Sequence, residues 1–143
     1  MKRSFLFALL LVAACNTDAA APHLARGNVL VNNGHKDEAA QEYREAARLS
    51  PRSALARERL GDTLYDLGRK DEALAAYREA AELSTESAFT ARIGAARVLE
   101  SRGDFTGARA ELTAGLEKAP TNLFLLLSRG NLAAKGEIGR AHV

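Results

Sequence analysis

Alanine, aromatic and glycine positions return about every 34 residues along this chain, and a period of that length excludes most folds at once. Ala39, Tyr43 and Ala46 are followed by Ala73, Tyr77 and Ala80 at an offset of 34, and by Ala108, Leu112 and Gly115 at 35. Gly34, Gly68 and Gly103 keep the same step. A unit of this size cannot bury its own apolar face and must stack on its neighbours, so the period predicts an all-α solenoid of antiparallel helix pairs. Such a stack offers an extended surface rather than a reactive centre.

Composition agrees with a small array. The 143 residues allow one domain, and 47% hydrophobic with 27% charged residues is an ordinary soluble balance. Much of the apolar fraction is alanine and only 6% of residues are aromatic, which suits closely packed helices. The formal charge of +2 invites a basic-surface reading, but Lys2 and Arg3 belong to a segment expected to be removed, leaving 20 − 2 = 18 basic against 18 acidic residues. Without net charge or a basic run, nucleic-acid binding loses its electrostatic footing.

Residues 1–14 have the form of an export signal. Lys2 and Arg3 precede an apolar run of 10 residues, Phe5 to Ala14, which falls short of the roughly 20 that a membrane-crossing helix needs. Val12-Ala13-Ala14-Cys15 then resembles the lipobox of bacterial lipoproteins: a branched apolar residue, two small ones, and the cysteine whose thiol becomes the lipid-bearing thioether. Cys15 is the only cysteine, so no intrachain disulfide competes for it. The resemblance implies a lipid-anchored protein of the bacterial cell envelope, facing the periplasm, with two or more acyl chains holding it stably. Asn16, in place of the aspartate that implies inner-membrane retention, leans toward the outer membrane. Residues 15–21 are expected to be a short tether.

The body is expected to form helices near 23–33, 36–49, 53–67, 70–83, 87–101, 105–118 and 122–134. Gly34, Gly68 and Gly103 fall where each pair turns, and Pro51 and Pro120 fall between pairs, each stopping the helix before it. Ser53 and Ser87 are expected to be helix caps. Lys36-Asp37-Glu38 and Lys70-Asp71-Glu72 open second helices, with acidic residues placed favourably near the N-terminus.

These residues carry a family resemblance. Leu60-Gly61-x₂-Leu64 with Ala73-x₃-Tyr77-x₂-Ala80 resembles the tetratricopeptide repeat, and so does the first unit with Gly27, Leu30, Ala39, Tyr43, Ala46 and Pro51. The third has Ala96, Leu99, Ala108, Leu112, Gly115 and Pro120. The pattern's tryptophan is absent, Thr85 stands where the second proline would be, and Ala95-Ala96 replaces Leu-Gly in the third unit. The resemblance covers residues 22–136 and implies about three and a half repeats that bind proteins or peptides. Gly27 and Gly61 sit inside helices at a cost of about 1 kcal/mol against alanine, so close helix crossing is expected there, facing Ala39, Ala73 and Ala108 and filled by Tyr43, Tyr77 and Leu112.

In the family, one face of each first helix lines a concave groove. By that register the groove candidates are Asn28, Val31 and Asn32; Glu58, Asp62, Tyr65 and Asp66; Ile93, Arg97 and Glu100; and Leu127 and Asn131. Glu58, Asp62 and Asp66 repeat every four residues, and like charges at that spacing cost a helix about 0.2 to 0.5 kcal/mol per pair. The expectation is a mixed groove with an acidic centre that takes a segment carrying lysine or arginine. Family members that grip the carboxylate of chaperone C-termini use lysines on their first helices, and 23–33, 53–67 and 87–101 contain none.

Catalytic chemistry has no foothold. His23, His35 and His142 form no HxxH or HxxxH pair, and neither a G-x-S-x-G turn nor a phosphate-binding glycine loop occurs, so no enzyme activity, cofactor or metal is expected. Residues 137–143 match the conceptual translation of a sequencing adapter and are expected to be a non-native tail on a truncated array. The competing reading is a real fourth unit, since Gly136-Glu137-Ile138-x₂-Ala141 echoes Gly103-Asp104-Phe105-x₂-Ala108. The function expected is a membrane-tethered interaction scaffold. The alternatives are a fixed subunit of an envelope assembly and the repeat part of a longer enzyme.

Overall fold

The computed structural model describes residues 19–84 and 88–141. Cys15, Asn16, Thr85, Ser87 and His142 lie outside them, as does the export signal. The described residues form seven helices: α1 over 19–32, α2 Lys36–Leu49, α3 Ala54–Asp66, α4 Lys70–Leu83, α5 Ala88–Glu100, α6 Phe105–Lys118 and α7 Leu123–Ala141. None is long and apolar enough to cross a membrane.

Three turns close each pair in the same way. Gly34, Gly68 and Gly103 take φ of 83°, 75° and 78°, a left-handed conformation that glycine adopts without the penalty of a side chain. His35 N–H then bonds Leu30 C=O at 2.9 Å while Gly34 N–H bonds Val31 C=O at 3.0 Å, satisfying two carbonyls that the end of α1 leaves open. The same pair of bonds recurs from Arg69 and Gly68, and from Asp104 and Gly103. Ser53 caps α3 by accepting from Ala56 N–H at 3.2 Å. Helix α2 has no side-chain cap, and Asp37 and Glu38 in its first turn face the partial positive charge there instead.

Helices α2 to α6 begin and end within a residue of expectation, and the two outer ones do not. Residues 19–21, assigned to the tether, are already helical, because Ala20 (3% exposed) finds a place against Ala46 and Ala56. Pro22 does not prevent this, since the first four N–H groups of a helix have no partner within it. Helix α7 runs on to Ala141 with no turn at Gly136, so the echo of the Gly103 turn is not realised in the backbone.

The core lies along the seams between helices. Ala39, Ala73 and Ala108 are completely buried, and Tyr43, Tyr77 and Leu112 are 1–2% exposed beside them. A methyl group on Gly27 would stand 2.5 Å from the Tyr43 ring, and one on Gly61 would stand 2.9 Å from that of Tyr77. Tyr77 is gripped from both sides, because a methyl on Gly94 of the next unit would approach its ring to 2.4 Å. Gly94→Ala is therefore expected to destabilise the array by about 1–3 kcal/mol through overpacking, despite a helix-propensity gain of about 1 kcal/mol. Gly130→Ala, with nothing within 4 Å of the added carbon, should stabilise instead; urea melts of the two variants check the contrast.

Candidate peptide groove

First helices touch one another directly, α3 with α5 and α5 with α7, while no second helix makes comparable contact with the next second helix among the described residues. Closer approach on one side curves the stack, so α3, α5 and α7 line the concave face, and α1 is the equivalent helix of the first pair.

The expected acidic stripe lies on α3, but the fold largely neutralises it. Asp62 accepts from the Tyr77 hydroxyl at 2.5 Å and from Arg97 Nη2 at 3.2 Å, and Arg97 Nη2 also donates to Tyr77 Oη at 2.9 Å. The Arg97 guanidinium lies 4.5 Å over the Tyr65 ring, a cation–π contact that fixes its direction. Asp66 is bonded by Lys36 Nζ at 2.8 Å, so the lysine that opens α2 links two units while staying exposed to water. The like-charge cost of the stripe is thus offset by cations from other helices, and the centre expected to be acidic is mixed.

Tyr77 is a packing residue whose hydroxyl reaches the groove. Burial pushes its phenol well above the ordinary value, and the hydrogen bond to Asp62 acts the same way, so the hydroxyl stays protonated and donates. Tyr43 repeats the arrangement one unit earlier, its hydroxyl donating to Asn28 Oδ1 at 2.7 Å. Asn28 is thereby tied down, whereas Asn131 on α7 is exposed.

Glu58 differs from its neighbours. Burial pushes its carboxyl above the usual range, the Thr90 hydrogen bond opposes this, and the Asp62 charge adds to it. Because the folded-state pKa is raised, the ionised form is penalised by folding, and that penalty appears as pH rises through the raised pKa. Glu58→Gln should therefore raise the melting temperature at neutral pH, with the difference shrinking in acid; parallel melts across that range check the sign.

A cavity of about 480 Å³ opens beside Glu58, between Phe89, Ile93 and Gly94 on α5 and Phe124 on α7. The Phe89 and Phe124 rings stack with centroids 6.5 Å apart and planes at 17°. Neither phenylalanine is implied by the groove register. The usable signal was their offset of 35, which places an aromatic at nearly the same position of consecutive first helices. Leu127 is 55% exposed, as an uncovered α7 predicts.

A second polar cluster lies away from the groove. Glu111 on α6, 8% exposed, receives Arg78 Nε at 2.7 Å and Arg92 Nη1 at 3.0 Å, and Arg92 also bonds Glu82 at 2.9 Å. It joins α4, α5 and α6.

A tetratricopeptide repeat family model matches residues 24–88 and 71–123. The chain belongs to the tetratricopeptide repeat family. No curated protein matches it. Among solved structures, this tetratricopeptide repeat array is similar to the N-terminal domain of stress-induced protein-1 (STI-1) from C. elegans, with a TM-score of 0.74 at 17% identity over 82% of this chain and 97% of that one. It is also similar to the first TPR of Spaghetti (RPAP3) bound to HSP90 peptide SRMEEVD, with a TM-score of 0.71 at 17% identity over 83% and 94% of the two chains. MamA gives 0.70 at 22% identity over 91% of this chain and 75% of its own. At these identities the likeness shows the fold.

Proposed function

We propose that this protein is a lipid-anchored scaffold of the bacterial cell envelope whose concave face holds an extended segment of another protein. The observation that carries the binding reading is the face itself: first helices in mutual contact, fixed polar side chains at Asn28, Asp62 and Arg97, and an open apolar cavity between α5 and α7. The similar RPAP3 domain holds an acidic HSP90 peptide. Here Asp62 and Arg97 cancel each other, and Glu58 beside the cavity has no ion pair among the described residues, so the groove favours a cationic segment over an acidic one. The anchor rests on the Val12-Ala13-Ala14-Cys15 motif and its position behind an apolar run.

Both halves are open to test. A photo-crosslinking side chain placed at Ile93 on the concave face should capture a partner in cells, while one at exposed Ala75 on α4 should not. Equal capture at both positions removes the groove reading. Cys15→Ser should move the protein from the membrane fraction to the soluble one, and unchanged fractionation removes the anchor.

A further inference from the structure

Helices α1, α3 and α5 carry four carboxylates, and three of them find a cation within the protein. Asp62 meets Arg97, Asp66 meets Lys36, and Glu100 meets Lys135. Glu58 alone has a neutral partner: the Thr90 hydroxyl donates to it at 3.1 Å, and no ion pair reaches it among the described residues. Neighbouring Arg59 is exposed and acts on it only through its field.

This unmatched carboxylate borders a cavity whose apolar wall is Phe89, Ile93 and Phe124 and whose polar rim includes the mutually paired Asp62 and Arg97. Phe124 is 66% exposed and leaves apolar ring surface facing water. An apolar side chain entering there gains by covering the rings. It also strips water from Glu58, and a half-buried carboxylate deprived of water without a counter-charge costs more than such contact returns. An occupant that fits must therefore bring both parts, an apolar body and a positive charge a few ångströms from it. An acidic occupant would meet Glu58 and Asp62 together, with Arg97 already engaged.

We propose that this cavity is a subsite for a peptide segment in which a large apolar residue adjoins lysine or arginine, the apolar side chain lying against Phe89, Ile93 and Phe124 and the cation meeting Glu58. This rests on the groove reading above and goes further by naming the ligand chemistry at one place in it. The lysine or arginine stem adds to the same apolar contact while its head reaches the carboxylate.

Fluorescence anisotropy of the full chain tests it with three labelled Gly-Ser peptides that differ only at two central positions: Leu-Lys, Leu-Glu and Ser-Lys. The Leu-Lys peptide is expected to bind about tenfold tighter than either of the others. Phe124→Ala should weaken it about tenfold, and Glu58→Gln about fivefold with the melting temperature kept or raised. Glu58→Lys should turn the preference toward Leu-Glu. Equal binding of Leu-Lys and Leu-Glu, or a preference indifferent to Glu58→Lys, overturns the subsite. Failure of all three peptides to bind, with the Ile93 cross-link still formed, overturns the subsite and leaves the groove standing. Loss of that cross-link as well overturns both. Sedimentation showing that the chain self-associates and that Phe124→Ala makes it monomeric would assign the cavity to a second copy and overturn the peptide proposal.

Discussion

Tyr77→Ala is expected to cost about 3–5 kcal/mol, a large part of the roughly 5–15 kcal/mol that holds a domain of this size together. The ring is 1% exposed and fills the space between Gly61 and Gly94, so its loss leaves a gap facing two helices at once. Neither wall can collapse inward, because glycine has no side chain to move and both helices are held by their own partners. In urea the variant should unfold at a much lower midpoint, read by far-UV circular dichroism. Tyr77→Phe separates the ring from its hydroxyl. It keeps the packing, removes one donor to Asp62, and should cost about 0.5–1.5 kcal/mol. A Tyr77→Ala midpoint near that of the parent would mean that the seams between units, and not these ring contacts, hold the array.

Glu111→Ala should be the next most damaging change, at about 3 kcal/mol. The carboxylate is nearly buried and neutralises Arg92, whose side chain is only 12% exposed and whose Nε has no hydrogen-bond partner among the described residues. Removing Glu111 leaves that guanidinium with Glu82 as its one carboxylate among the described residues, and Glu82 is 68% exposed and well screened by water. The control is a second substitution. Glu111→Ala with Arg92→Met removes both buried charges and should recover the part of the loss that comes from the orphaned guanidinium. Melts of the single and double variants decide the point. If the double variant is as unstable as the single one, the damage comes from lost packing and not from an orphaned charge.

The two residues differ in how readable they were. Tyr77 stands at a periodic position with glycine at its expected crossing point, and a step of 34 residues leaves few other uses for it. Its second glycine, Gly94, was missed because the pattern places the small residue two positions later, at Ala96. An interior helix glycine nonetheless needs a packing reason, and that was the signal. Glu111 was missed for a different cause. It occupies the place of Ala76, which is buried, and a carboxylate at a buried repeat position points to a cation on a neighbouring helix. The cation, Arg92, belongs to another element, and such partners follow from packing angles that a single sequence does not carry. The groove shows the same division. Its register on α3 and α5 was legible from spacing, and so was the stripe Glu58, Asp62, Asp66. That Lys36 and Arg97 cancel two of those charges depends on how far one pair is rotated against the next.

The three matching turns fix the angle within each pair, each by a left-handed glycine and two hydrogen bonds. Between pairs no such backbone turn closes the angle, and the ties are side-chain contacts, the exposed Lys36–Asp66 pair at one junction and the packing of Tyr77 against Gly94 at the next. Bending should therefore concentrate at those junctions, in the manner of a chain of stiff links joined by compliant pins. A segment seated across α3, α5 and α7 would span two such pins, so the radius of the arc, and with it the distance from one end of the array to the other, becomes a quantity that occupancy can set.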